Sequence, residues 1–188
     1  MRYDPDLIVE KDDDVYPPSE DSMLLIGSFD VRRGERILEI GCGSGIVSMH
    51  CAQNGGAVTC GDISRKAVAL TKRNMVLNSL DAEVVETDVY SNIEGRFDTI
   101  LFNLPYLPVK EEGDLALAWS GGEDGLGPLP RLLAGAPEHL LPGGRIIIVV
   151  SSLMDRDSLR SALNGYKVRT LSSLHLFFEE LNILEISL

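Results

Sequence analysis

A three-layer α/β sandwich, built on a mostly parallel sheet with an antiparallel closing strand, is the architecture the sequence predicts. Three observations carry it. Strand-like and helix-like segments alternate from Arg36 onward. A glycine-rich turn, Gly41-Cys42-Gly43-Ser44-Gly45, joins the first strand to the helix that follows. The run Arg145 to Val150 is apolar toward both faces, as a central strand between two helical layers must be.

Each element has its own local reason. Residues 1–34 read as an irregular acidic segment followed by a helix, with Ser19 placed to cap it and Met23, Leu24 and Leu25 leading towards Phe29. Residues 35–188 read as the core, and the whole chain as one domain. Arg36 to Ile40 is a short strand. A helix from Ile46 to Gln53 follows, closed by Asn54-Gly55-Gly56. Ala57 to Cys60 is a second strand. Ser64 caps a helix whose apolar positions include Ala67, Val68, Met75 and Val76. Glu83 to Glu86 and Phe97 to Phe102 are further strands. Residues 107–127, rich in Gly and acids, read as a long loop. A helix over Leu129 to Leu141 ends at Pro142-Gly143-Gly144, and a last helix spans Ser158 to Asn164. Lys167 to Thr170 and Asn182 to Ser187 form an antiparallel closing pair.

Composition narrows the function. The chain has 188 residues, 44% of them hydrophobic and 24% charged, which is globular rather than disordered. A formal net charge of −12 argues against a protein whose affinity rests on phosphate contacts. The longest apolar run, Ile146 to Val150, is far too short to span a membrane. Residues 1–14 are acidic, unlike a signal peptide, so the expected location is the cytoplasm. Cys42, Cys51 and Cys60 form no CxxC pair, so no metal site is expected. His50, His139 and His175 are scattered and read as structural or solvated. Asp12-Asp13-Asp14 reads as a solvated face or a flexible terminus.

The glycine turn speaks to a ligand. Gly41, Gly43 and Gly45 give GxGxG between a strand and a helix, but the sixth position of a dinucleotide fingerprint is Ile46. No GxxxxGK[ST] loop is present either. A nucleoside without a pyrophosphate fits, and S-adenosylmethionine is such a ligand. Asp62 follows the second strand, where a carboxylate can accept both ribose hydroxyls. Asp88 ends the third strand and is placed to take an adenine amino group, with Val89 offering a backbone N–H to the ring. Glu39, at the end of the first strand, is placed to bind the ligand's ammonium, directly or through water. Three acids thus end three successive strands on the edge that carries the glycine turn.

Asn103-Leu104-Pro105-Tyr106 follows the strand Phe97 to Phe102, at the sheet edge where open α/β folds bind ligands. The motif suits methyl transfer to a planar nitrogen. Such a nitrogen is a poor nucleophile because its lone pair is delocalised. Two acceptors, the Asn103 side-chain oxygen and the Leu104 carbonyl, can take its two hydrogens and turn electron density toward the methyl carbon. Pro105 forces Leu104 into an extended conformation, and Tyr106 can stack on a flat group.

Together these residues resemble the HemK-like protein-glutamine methyltransferases, and specifically their short archaeal and eukaryotic release-factor-modifying branch. Val15-Tyr16-Pro17-Pro18-Ser19-Glu20-Asp21 is similar to that branch's VYEPAED segment, and Ala118-Trp119-Ser120-Gly121-Gly122, with Gly125 beyond, to its AWxGG loop. The resemblance implies a class I S-adenosylmethionine-dependent methyltransferase fold (Rossmann-like). It implies the glutamine amide of a Gly-Gly-Gln loop in a class-1 translation release factor as acceptor. Asn103, Leu104, Pro105 and Tyr106 would bind that glutamine. Tyr16, Glu20, Ser22, Glu39, Gly41, Cys42, Gly43, Gly45, Asp62, Ile63, Asp88, Val89 and Asn103 would hold the cofactor. A small zinc-ribbon activator, adding to the sheet edge near the third strand, is the partner implied. Two positions depart from the family: Leu104 stands where the first proline of Asn-Pro-Pro-Tyr is usual, and Pro17 where the family usually has Glu.

The four-residue motif also occurs in rRNA, tRNA and DNA amino-methyltransferases acting on adenine or guanine, and a lysine acceptor or a cofactor-binding subunit without activity are further alternatives. The charge of −12 weighs against nucleic acid as the main substrate.

Overall fold

The computed structural model describes residues 1–110, 113 and 116–188. One seven-stranded sheet runs through it in the order β3-β2-β1-β4-β5-β7-β6. The strands are β1 (Arg36–Ile40), β2 (Ala57–Asp62), β3 (Glu83–Glu86), β4 (Phe97–Phe102), β5 (Leu140–Ser151), β6 (Lys167–His175) and β7 (Glu180–Ser187). Pairings among β1 to β5 are parallel; β7 runs antiparallel to both β5 and β6. This is the mostly parallel sandwich with an antiparallel closing strand that the alternation predicts.

The helices are α1 (Glu20–Gly27), α2 (Ile46–Gln53), α3 (Arg65–Leu77), α4 (Leu129–His139) and α5 (Arg156–Ala162). Strand alternation assigns them to two layers. Ile146, Ile148 and Val150 of β5 face a cluster with Leu129, Leu132, Leu133 and Ala136 of α4. Ile147 and Val149, between them, face Leu25 and Ile26 of α1, Met49 and Cys51 of α2 and Met75 of α3. Helix α2 is buried from Ile46 to Cys51, which explains its unpatterned apolar sequence.

Several boundaries differ from the sequence expectation, each for a visible reason. The Ser19 side chain makes no capping bond; its hydroxyl donates to Asp21, and α1 stops at Gly27. Strand β2 continues two residues past Cys60, so Asp62 ends it. Helix α4 ends at His139, because β5 begins at Leu140 and crosses Pro142-Gly143-Gly144 through a register shift against β4 between the pairs Phe97–Leu140 and Thr99–Arg145. Helix α5 begins at Arg156, where Asp155 accepts the Ser158 N–H at 2.8 Å. Strands β6 and β7 are longer than expected and leave a short tip at residues 176–179.

The acidic start is strapped down, not loose. The Glu10 N–H donates to Asn74 Oδ1 at 2.9 Å, the Ile8 N–H to Asn78 Oδ1 at 2.8 Å, and the Asp4 N–H to His50 Nε2 at 2.9 Å. Asp14 pairs with Lys66 at 2.6 Å, and Asp12 with Arg73 at 3.7 Å. No helix among the described residues is long and apolar enough to cross a membrane. Among those residues no cluster of three His, Cys, Asp or Glu could hold a metal ion.

Of the long loop expected over 107–127, residues 111, 112, 114 and 115 lie outside the described residues. Two of its described parts pair with each other: Leu107 donates to the Trp119 carbonyl at 2.9 Å and accepts from the Gly121 N–H at 2.8 Å. A one-turn 3-10 helix, Ala116–Ala118, precedes that pairing.

Candidate active site

The parallel strands β1, β2 and β4 end on one edge of the sheet, and the residues just past them surround a cavity of about 370 Å³. Of the expected residues, Tyr16, Ser22, Glu39, Gly41, Cys42, Gly43, Asp62, Ile63, Asp88, Val89 and all of Asn103 to Tyr106 line it. The topology accounts for the gathering. Strand order reverses at β1, so β1 and β4 diverge into opposite crossovers and leave a crevice between their carboxyl ends.

The glycine turn forms the floor. Gly41 and Gly43 have φ of +68° and +55°. A Cβ on Gly41 would lie 2.8 Å from the Phe102 ring, whereas one on Gly43 would meet nothing within 4 Å. Gly43 therefore leaves open the space a ligand against the backbone needs. Asp62 steadies the turn by accepting the Gly43 N–H at 3.0 Å, and accepts the Ser64 N–H at 2.8 Å. Burial pushes its carboxyl above the ordinary range despite those bonds. Glu39 is more extreme: 2% exposed, accepting from the Ser48 hydroxyl, it is driven up to about 8 by desolvation. A buried acid, Glu39, and a partly buried one, Asp62, at the cavity favour a cationic, hydroxyl-bearing ligand, whose charge would draw Glu39 into its ionised form. The open cradle at Gly43 and this acceptor-rich wall fit S-adenosylmethionine, which carries an ammonium, a sulfonium and a ribose diol.

Asp88 is paired rather than free. Arg131 of α4 donates to its Oδ2 at 2.7 Å, and the carboxylate raises the guanidinium pKa further. Sequence reading misses Arg131, because 43 residues separate it from Asp88 and only the β4–α4 crossover brings the two together. It also passes over Asp21, 4% exposed on the cavity wall, which accepts from the Ser19 and Ser22 hydroxyls.

Two expected cofactor residues are not part of the wall. Glu20 begins α1 and points outward; it borders a shallow groove with Pro18, Met23, Leu24 and Leu174, while the next two residues, Asp21 and Ser22, turn inward. Gly45 lies behind the turn as the N-cap of α2, with φ +82°; an added Cβ would lie 2.8 Å from the Thr71 side chain. Its smallness serves packing against α3.

At the acceptor end, Asn103 Oδ1 is shielded from solvent and has no hydrogen-bond partner. An orphaned buried acceptor costs roughly 1–3 kcal/mol, so a donor arriving from the cavity would be favoured there. Leu104 is 1% exposed and packs into the core on the α4 side. Tyr106 is half-buried, and its hydroxyl pKa is raised by burial and by nearby carboxylates including Asp21 and Glu179. The loop around Gly125 rests directly on this turn: a Cβ on Gly125 would lie 2.6 Å from the Tyr106 carbonyl. Trp119 also lines the cavity, its ring 6.4 Å from that of Tyr16.

Comparison with known proteins agrees with this geometry. The family model described as "Methyltransferase small domain" matches residues 18–172. A protein of Methanocaldococcus jannaschii named "Putative protein N5-glutamine methyltransferase MJ0928" is 38% identical over 178 residues, which is 91% of this chain and 90% of that protein. Ribosomal RNA small subunit methyltransferase C of Chromohalobacter salexigens is 31% identical over 64% of this chain, which spans only 33% of that protein's length. Among solved structures, a methyltransferase of Pyrococcus furiosus superposes with a TM-score of 0.66 at 22% identity, over 86% of this chain and 79% of its own. The Thermus thermophilus 16S rRNA N2 G1207 methyltransferase, in complex with AdoMet and guanosine, gives 0.65 at 22%, over 90% and 43%. A model match over most of the chain, joined to a relative of equal reach, leaves one assignment: the chain belongs to the methyltransferase small domain family and has the class I S-adenosylmethionine-dependent methyltransferase fold.

Proposed function

We propose that this protein methylates the side-chain amide nitrogen of the glutamine in the Gly-Gly-Gln loop of a class-1 translation release factor, in the cytoplasm, with S-adenosylmethionine as donor. The observation that carries the reading is the unpartnered, buried Oδ1 of Asn103, a residue of the cavity wall. A primary amide supplies the N–H that this oxygen lacks, and the Leu104 carbonyl takes the second. Full-length similarity to a protein named for glutamine methylation supports the amide over a base.

When bound, S-adenosylmethionine supplies an electrophilic methyl carbon. The chain's own groups do the remaining work. Glu39 and Asp62 hold the cofactor's ammonium and ribose from the strand ends; Asp88, positioned by Arg131, faces the adenine. Asn103 and Leu104 hold the amide so that its lone pair leaves the plane of conjugation. Tyr106 packs on the flat amide group. The aromatic pair of Tyr16 and Trp119 excludes water from the cavity mouth. On methylation the amide nitrogen sheds one of its two hydrogens as a proton to solvent, and rate enhancement rests on positioning and on fixed dipoles rather than on a strong base.

A small zinc-ribbon activator seated near β3 belongs to the same proposal. Strand β3 is a four-residue edge, and Val76 and Leu77 on the neighbouring α3 are exposed, which suits strand addition beside an apolar contact.

The ribosomal RNA enzymes among the relatives make guanine the second reading. One experiment separates them: incubation with labelled donor and either purified release factor or bulk rRNA and tRNA, followed by mass spectrometry of the Gly-Gly-Gln peptide. Methylation of that glutamine is expected. Label in RNA with an unmodified peptide would overturn the reading.

A further inference from the structure

The geometry points to the tip of the β6–β7 hairpin as a second contact for the substrate polypeptide, outside the cavity and joined to it by an apolar track. Phe177 and Phe178 form the tip and are 91% and 85% exposed, far beyond any other aromatic of the described chain. Their rings meet edge to face, 4.5 Å between centroids. Two exposed aromatics side by side are costly in water and mark a contact surface.

The tip is rigid. The Leu176 N–H donates to the Glu179 carbonyl at 2.7 Å, closing the turn. The Ser151 hydroxyl donates to Glu179, the Ser152 N–H to the Glu180 carbonyl at 2.9 Å, and the Glu180 N–H to the Ser152 hydroxyl at 3.0 Å. Anchors so fixed lose little entropy on binding.

Its position is tied to the acceptor site. Ser151 ends β5, and β5 lies beside β4, which carries Asn103 to Tyr106 just past its end. Glu179 is close enough to act on the Tyr106 hydroxyl. Pro18 lines both the cavity and the shallow groove, which continues through Met23 and Leu24 to Leu174, three residues before Phe177. An extended segment leaving the cavity past Pro18 would thus meet apolar side chains as far as the tip.

Charge chooses the occupant. Glu20 lines the groove, and Glu179 and Glu180 directly follow the Phe177-Phe178 pair, on a chain of net charge −12. Phosphate would be repelled there, whereas a polypeptide with apolar side chains and flanking Lys or Arg is complementary. This inference rests on the protein-substrate reading above; it adds that affinity for the folded substrate comes from the hairpin, not from the glutamine loop alone.

The test uses the full chain with Phe177→Ser and Phe178→Ser combined, both at strongly exposed positions. Transfer is measured to an intact release factor and to a short Gly-Gly-Gln peptide. The double variant should raise KM for the intact factor at least about tenfold, the scale of losing aromatic anchors, with kcat, cofactor affinity and peptide methylation unchanged. Equal kinetics of variant and wild type on the intact factor would overturn the inference while leaving glutamine methylation standing. Wild type that labels only RNA would overturn both. A wild-type dimer that becomes monomeric in the variant, without a kinetic change, would make the tip a self-contact and equally overturn it.

Discussion

The backbone N–H of Asp4 donates to Nε2 of His50 at 2.9 Å, and the same ring meets the Ile46 carbonyl through Nδ1 at 2.7 Å. The pair of bonds requires a neutral imidazole with its hydrogen on Nδ1. Burial holds the His50 pKa below its ordinary value. The unfolded chain therefore binds a proton near pH 6.5 that the native state refuses. Its contribution to stability is full above pH 6.5 and is lost as pH falls below it. Thermal melts should show wild type losing more stability than His50→Gln between pH 7.5 and 5. Hydrogen-exchange protection factors at residues 4–10, corrected for the intrinsic pH dependence of exchange, should fall in the same window. Parallel pH profiles for the two proteins would contradict the assignment.

Glu39 titrates in the opposite sense. Its native pKa, about 8, lies above the ordinary value of 4.5. The native state keeps a proton that the unfolded chain releases, so this group favours folding most below pH 4.5, and that contribution fades as pH rises to 8. A cationic ligand beside Glu39 must expel the proton. Cofactor binding at pH 7 should release protons, seen as calorimetric heats that vary with buffer ionisation enthalpy. Glu39→Gln should remove most of that variation; its persistence would place the proton elsewhere.

Replacing Asn103 removes one acceptor without opening the core. Asn103→Ala should lower kcat on the order of 10²–10³-fold, by analogy with deleting one oxyanion-hole donor. Cofactor affinity should fall far less than kcat, and circular dichroism should stay near wild type. Unchanged turnover would refute the role given to this amide.

Gly125 has φ +74° and sits against the Tyr106 carbonyl. Gly125→Ala adds a left-handed penalty of roughly 1–2 kcal/mol and a backbone clash. Denaturant titration should show a stability loss of at least about 1 kcal/mol, accompanied by reduced transfer because the acceptor turn is displaced. A variant as stable and active as wild type would mean the loop does not brace the turn.

What could be read from the sequence was what repeats locally. The strands of alternating α/β structure, the glycine turn and the acids at three strand ends carry signals within a few residues of themselves. The N-terminal strap does not. His50 and Asn74 are ordinary polar residues within helices and Asn78 caps one, and their partners lie 46 to 70 positions away. Arg131 is equally silent until α4 folds over Asp88. Boundaries failed where tertiary pairing overrode punctuation. Pro142-Gly143-Gly144 looks like the end of a helix, yet the sheet takes it in through a register shift. Glu20 and Gly45 share motifs with the cofactor-facing residues, yet helix phase turns Glu20 outward, and Gly45 packs against Thr71 behind the turn.

Leu104 has a consequence for how the acceptor turn is held. A pyrrolidine ring at that position would stiffen the chain covalently, through its own torsion. Here an isobutyl group does so from outside, buried in the same core cluster as Leu126 and Leu129. The stiffness of the reactive loop is thereby delegated to the hydrophobic layer beneath it. Trimming a residue of that layer, remote from any ligand, should slacken the grip on the amide as surely as altering the motif itself.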